Sequence, residues 1–169
     1  MRTTGQALTE SILLMPLFFL FFFGLLQVAQ LGIAVVMTSY AASSIARIAA
    51  ASGNVSAASS GPVSSISQYQ SNAQKFMVAG ASLKDLSACV QATPPTATLT
   101  VRVRAKVDAY PFFAQVLSGA LSNAYADESG GTCPNLANPN GFGPFNFSNN
   151  GAYYFYVSGI ASTRLNYAP

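Results

Sequence analysis

From Ser11 to Ala46 this chain carries no charged side chain. A helix of that length reaches about 54 Å at about 1.5 Å per residue, well beyond a bilayer hydrocarbon core of about 30 Å. The segment therefore has to change surroundings along its length, and its composition changes to match. Ile12 to Leu26, including Phe18-Phe19-Leu20-Phe21-Phe22-Phe23, is apolar on every side. That excludes an ordinary surface helix, which keeps one polar face. Gln27 and Gln30 then appear, followed by Thr38, Ser39, Ser43 and Ser44, while Leu31, Val35, Ala42, Ile45 and Ala49 keep an apolar stripe at helical spacing. The expectation is one long helix over residues 6–52, lipid-facing over about 11–37 and domain-packing beyond. Pro16 removes a backbone donor inside the apolar half and predicts a kink or break there.

The entrance to this run is polar. Gly5-Gln6-Ala7-Leu8-Thr9-Glu10 precedes it, and Glu10 is the ionised group at its mouth. A carboxylate at a membrane boundary is expensive and is usually retained for a purpose. An ordinary secretory signal fits poorly, because its apolar core runs about 7–15 residues and its small-residue cleavage site comes after that core rather than before it. Arg2 is the only basic side chain before Arg47, so the positive-inside tendency leaves the N-terminus cytoplasmic and exports the residues after the span.

Small residues recur every fourth position at Ala34, Thr38, Ala42, Ala46 and Ala50. Such a ladder lets backbones approach closely. It suits either a seam between neighbouring subunits or an alanine-rich face packed on the chain's own domain.

Residues 53–169 suffice for one small exported domain. Ser52–Ser67 reads as a helix end and connector, and Val63–Leu86, with Ile66, Tyr69, Phe76, Met77, Ala79 and Leu83, as a second helix. The clearest strand is Thr98–Asp108, where Leu99, Val101, Val103, Ala105 and Val107 alternate with Thr100, Arg102, Arg104, Lys106 and Asp108. Arg102, Arg104 and Lys106 then share one face, either an anionic contact or a solvated face that discourages edge pairing. After Pro111, Phe112 to Tyr125 has helical spacing. Residues 127–151 read as a long loop bearing Phe142, Phe145 and Phe147, which either form a surface contact or fold back onto the sheet. Tyr153–Tyr167 is strand-like, with Phe155, Val157, Ala161 and Leu165 on one parity, and pairs antiparallel with the earlier strand. The fold class is α+β: a long N-terminal helix on a short antiparallel sheet with one or two further helices.

Little in the sequence supports catalysis. There is no His, and the five acidic residues are Glu10, Asp85, Asp108, Asp127 and Glu128. No phosphate loop, zinc spacing or nucleophile elbow occurs. The chain reads as a non-enzyme with no cofactor and no metal. A net charge of +3 is too small to argue for nucleic acid. Cys89 and Cys133 are the only cysteines. In an exported domain their even count favours a disulfide, with two free thiols as the alternative.

The glycine followed five residues later by Glu10, the apolar helix with Pro16, and the small-residue stretch Ala41–Ala51 with Arg47 resemble the TadE/TadG-like pilin family of tight-adherence systems, with a leader of the class III prepilin type. The resemblance covers roughly the first fifty residues. It implies a minor pilin or pseudopilin whose residues 1–5 are a leader, cut between Gly5 and Gln6 by a prepilin peptidase. It further implies that Glu10 pairs with the new N-terminal amine of a neighbouring subunit. The implied partners are copies of the chain and other pilin subunits, the inner-membrane assembly platform and, before assembly, the membrane itself. The chain would sit in the inner membrane first and in a surface or extracellular pilus afterwards. A filament-forming major pilin, or a membrane-anchored adhesive or DNA-binding module, are the competing expectations.

Overall fold

The computed structural model describes residues 3–58, 60–93, 96–110, 142–147 and 153–165. Helix α1 runs unbroken over Thr3–Ala51, 49 residues, and continues through Pro16 without interruption. By length and composition it is apolar and long enough to cross a membrane.

The rest of the described chain is an antiparallel sheet. Strands β1 (Gly61–Pro62), β2 (Ala81–Thr93), β3 (Thr96–Asp108), β4 (Phe142–Phe147) and β5 (Tyr153–Leu165) lie in the order β1-β2-β3-β5-β4. Its four longer strands carry the sheet, and β1 is a two-residue addition to one edge. A 3-10 turn over Ser64–Tyr69 leads directly into the short helix α2, Gln70–Lys75.

The alternation in β3 appears as expected. Leu99, Val101, Val103, Ala105 and Val107 are all buried, and Thr98, Arg102, Arg104 and Lys106 are half-buried on the other face. The pairing of β3 with β5 is also as expected, from Ala97 opposite Leu165 to Asp108 opposite Tyr154. Helix α1 lies across the inner face of these two strands. Two clusters form beneath it. One, at the end far from the N-terminus, gathers Ala42, Ile45, Ala46 and Ala49 with Leu99, Val101 and Leu165. The other joins Leu31 and Ala34 to Val107, Phe155 and Val157. Between them the helix crosses the sheet at its closest point. A Cβ on Gly159 of β5 would stand 2.5 Å from the backbone of Thr38 and Ser39, closer than any side chain can occupy, so the crossing depends on glycine.

Three expectations are corrected. Residues 63–86 are not one helix: helical structure stops at Lys75, and residues 81–86 open β2. Gly80, at φ 79°, turns the chain between them in a conformation that favours glycine. Strand β2 hides from period-two reading because it is rich in small and polar residues and its register shifts between Leu83 and Asp85. Residues 127–151 are not loop throughout, because Phe142, Phe145 and Phe147 lie on β4, paired with β5. Finally, the sheet-packed part of α1 begins at Gln27 rather than after Met37, because Gln27, Leu31 and Ala34 are already buried. The helix read over Phe112–Tyr125, and Cys133, fall outside the described residues.

Candidate functional site: the apolar helix and its junction with the sheet

The candidate site is α1 itself, divided at Gln27. From Ile12 to Leu26 its large apolar side chains are exposed, Leu13 by 77% and Phe21 by 65%. Phenylalanines four residues apart stack along it, Phe18 on Phe22 at 6.3 Å and Phe19 on Phe23 at 6.2 Å, the separation at which helical neighbours meet. Water is a poor solvent for such a surface. At about 25 cal/mol per Å² of apolar area, removing it from water would be strongly favourable. Glu10 is exposed at the entrance to this surface, one turn before Leu14. Gly5 and Gln6 lie in the first turns of the same helix.

The junction is built from two glutamines. Gln27 is fully buried, and its Oε1 accepts the backbone N–H of Tyr110, just past the end of β3, at 2.8 Å. Its Nε2 donates to Gln30 Oε1 at 3.4 Å. Gln30 Nε2 in turn donates to the carbonyl of Ala79 at 3.4 Å, in the turn before β2. Gly80 completes this corner: its carbonyl accepts the Asp108 N–H at 2.8 Å, and a Cβ there would press on Gln30 Nε2. The side-chain amides thus tie the helix to both loops at one end of the sheet. A buried amide without partners would be costly, and this chain of bonds removes most of that cost. Phe23 packs its ring 6.2 Å from that of Tyr110, so the last phenylalanine of the apolar run touches the chain just beyond β3.

The small-residue ladder faces inward. Ala34, Thr38, Ala42 and Ala46 are buried against the chain's own sheet. Their small size serves the approach of helix to sheet at Gly159, and they are not free to form a seam between subunits. Thr38 Oγ1 turns back to donate within its own helix, 2.9 Å from the Ala34 carbonyl, so its hydroxyl is satisfied in that apolar contact. Pro16 sits inside the exposed half.

Arg102, Arg104 and Lys106 share the face opposite α1, as expected, but β3 is central, with β2 on one side and β5 on the other. Protection of a free edge therefore does not explain them. Lys106 Nζ stands 4.3 Å from the ring centre of Tyr154, and the Arg104 guanidinium 5.9 Å from that of Tyr156. Asp85 is the cross-strand partner of Arg104. These contacts engage the cations within the sheet. The Tyr154 hydroxyl is held above its ordinary value of 10.0, first by its hydrogen bond with Tyr156, then by burial and by the nearby second phenol, against a lowering by Lys106 and Lys84.

Cys89 is buried on β2, opposite Thr100 on that same outer face, and is not a free thiol. Phe142, Phe145 and Phe147 are fixed in backbone register with Val157, Phe155 and Tyr153 respectively.

In the sequence, Gln27 and Gln30 stand out only as a change of composition. Their spacing, three residues apart at the close of an apolar run, is the one local signal of the junction. Gly159 has none, since nothing local distinguishes a glycine that meets a helix from one that makes a turn. Set against known family models, curated proteins and solved structures, the chain matches none.

Proposed function

We propose that this chain is a pilin-like structural subunit of the TadE/TadG-like kind, a minor pilin or pseudopilin that is inserted in a bacterial inner membrane and then drawn into, or primes, an extracellular tight-adherence pilus. The observation that carries the reading is the division of α1: an all-round apolar, exposed half entered by one carboxylate, joined without a break to a half held on the chain's own sheet. A fibre subunit needs both, a segment that can move from lipid to a bundle of like helices and a domain that stays folded during the transfer.

The junction sharpens the role of Glu10. If the lipid boundary lies near Gln27, a span of about 20 residues begins near Leu8. Glu10 then falls just inside the hydrocarbon, where an unpaired carboxylate is costly and an amine partner offsets that cost. In this reading a prepilin peptidase cuts after Gly5, and the freed amine of Gln6 on a neighbouring subunit pairs with Glu10, setting the axial register. The exported compartment is oxidising, so Cys89 and Cys133 form a disulfide. It closes a loop of about 44 residues, worth about 3–4 kcal/mol on chain-entropy grounds.

The test is Glu10→Ala, followed in membranes and in sheared surface filaments. The variant is expected to insert normally and to be lost from filaments, and mass spectrometry of the wild-type filament subunit is expected to find Gln6 as the first residue. Incorporation of Glu10→Ala at the wild-type level contradicts the proposal.

A further inference from the structure

The end of the domain farthest from Gln27 holds a feature that the proposed function leaves unexplained. Where α1 ends, the loop after it and the last residues of β5 line a half-open hollow of about 550 Å³. Its size is that of pockets that take small molecules. Arg47 reaches it from α1 and Arg164 from β5; Val55, Ser56, Thr163 and Leu165 supply much of the remaining wall. Both arginines are exposed. Two arginines from distant parts of the chain thus line one hollow, and none of the described residues lining it is acidic.

These arginines are not needed to finish the helix. The carbonyl of Ile48 accepts the N–H of Ser52 at 2.9 Å, and that of Ala49 accepts the Ser52 hydroxyl at 2.9 Å. The Tyr69 hydroxyl donates to Ser52 Oγ at 2.9 Å and holds it in place. Gly53, at φ 68°, then turns the chain away in the manner of a helix C-terminal cap. Nor do they resemble Arg104 and Lys106, which are engaged with tyrosine rings on the sheet.

We propose that this hollow binds a carboxylate-bearing ligand of about the size of a monosaccharide, a uronate or a comparable small hydroxy acid. A guanidinium fork matches a carboxylate with two parallel hydrogen bonds. Ser56 and Thr163 offer hydroxyls, and Val55 and Leu165 offer an apolar floor for the body of the ligand. A singly charged carboxylate is favoured over a phosphate because the neighbouring helix end is a C-terminus. Its partial negative charge opposes a dianion more strongly than a monoanion, and among the described residues lining the hollow no helix N-terminus contributes N–H donors. The ligand could be a free acid or one unit of an acidic polysaccharide, and the recognition chemistry is the same for both.

The experiment is a calorimetric titration of the full chain in detergent micelles with galacturonate, galactose, inorganic phosphate and a short oligogalacturonate. Galacturonate is expected to bind saturably and galactose at least about tenfold more weakly. Arg47→Gln and Arg164→Gln are each expected to weaken galacturonate by about tenfold or more, as loss of one charge-assisted partner implies. Lys75→Gln, an exposed charge on α2, is expected to change nothing. Circular dichroism checks that each variant keeps the wild-type fold, and Arg47→Lys, which keeps the charge without the fork, is expected to fall between wild type and Arg47→Gln. Tighter binding of the oligomer than of the monomer assigns the site to polysaccharide, and equal binding per unit assigns it to the free acid. Absence of saturable galacturonate binding, phosphate binding more tightly than galacturonate, or affinity unchanged in both glutamine variants overturns the proposal.

Discussion

The two halves of α1 are continuous in backbone and opposite in circumstance. Residues 12–26 present large apolar side chains in every direction, and residues 27–51 present a narrow stripe of small ones to a sheet. The first half gains nothing from the fold around it, because almost none of its surface is covered. The second half derives its stability from close approach: alanines and Thr38 bring the helix backbone against Gly159, and Ile45 fills the space beyond. Hydrophobicity alone therefore does not tell which part of a helix holds a domain together. Size does, since bulk suits a fluid surrounding and small residues suit a fixed partner.

The contrast can be broken most forcefully at Ile45. It is fully buried, so Ile45→Ala is expected to lower domain stability by about 4 kcal/mol, whereas Phe21→Ala, in the exposed half, should leave it within about 0.5 kcal/mol. Urea unfolding of the two variants in the same micelles decides the matter, and comparable losses would mean that the halves are not energetically distinct. Gly159→Ala comes next. The new methyl meets helix backbone rather than a movable side chain, and a loss of about 3 kcal/mol is expected, read from the same unfolding midpoint. An unchanged midpoint would show that the helix can retreat without penalty.

The boundary between the halves is tested by Gln27→Leu. This keeps the bulk and removes the acceptor of the Tyr110 N–H, so a loss of about 2 kcal/mol is expected, together with faster amide exchange at Tyr110 than in wild type. The smallest effect concerns the sheet face turned away from α1. Because folding raises the Tyr154 ionisation above its ordinary value, the protonated phenol is the favoured form. Its contribution is complete below about pH 10 and is lost as pH rises through the folded value. Tyr154→Phe should therefore show a shallower loss of stability at high pH than wild type, measured by unfolding across that range. Identical slopes would remove Tyr154 from the account.

How much of the molecule is legible in its sequence depends on the range of each signal. The long apolar helix is legible as an extended uncharged run, although the break expected at Pro16 does not occur. The alternation of Leu99 to Val107 and the parity of Phe155, Val157 and Leu165 are periodic patterns within a dozen residues, and the structure keeps them at the same positions. Glu10 at the helix entrance is legible in the same way, as a charge beside an uncharged run. Strand β2 is not, because a bulge and a run of small polar residues erase the period. The small-residue ladder is legible as a close-packing surface but not as one facing the chain's own sheet.

What the amino-acid order determines unaided is therefore local: where backbone hydrogen bonds must be made within a helix, and which faces of that helix and of β3 and β5 are apolar. What tertiary structure alone decides is who meets whom. That β3 lies at the centre of the sheet, that Gly159 receives the helix, that Gln27 finds the Tyr110 amide 83 residues away, and that Arg47 and Arg164 share one hollow are all encounters between distant segments. Their free energy exists only once the chain has closed the loops between them, and no short window of sequence contains it.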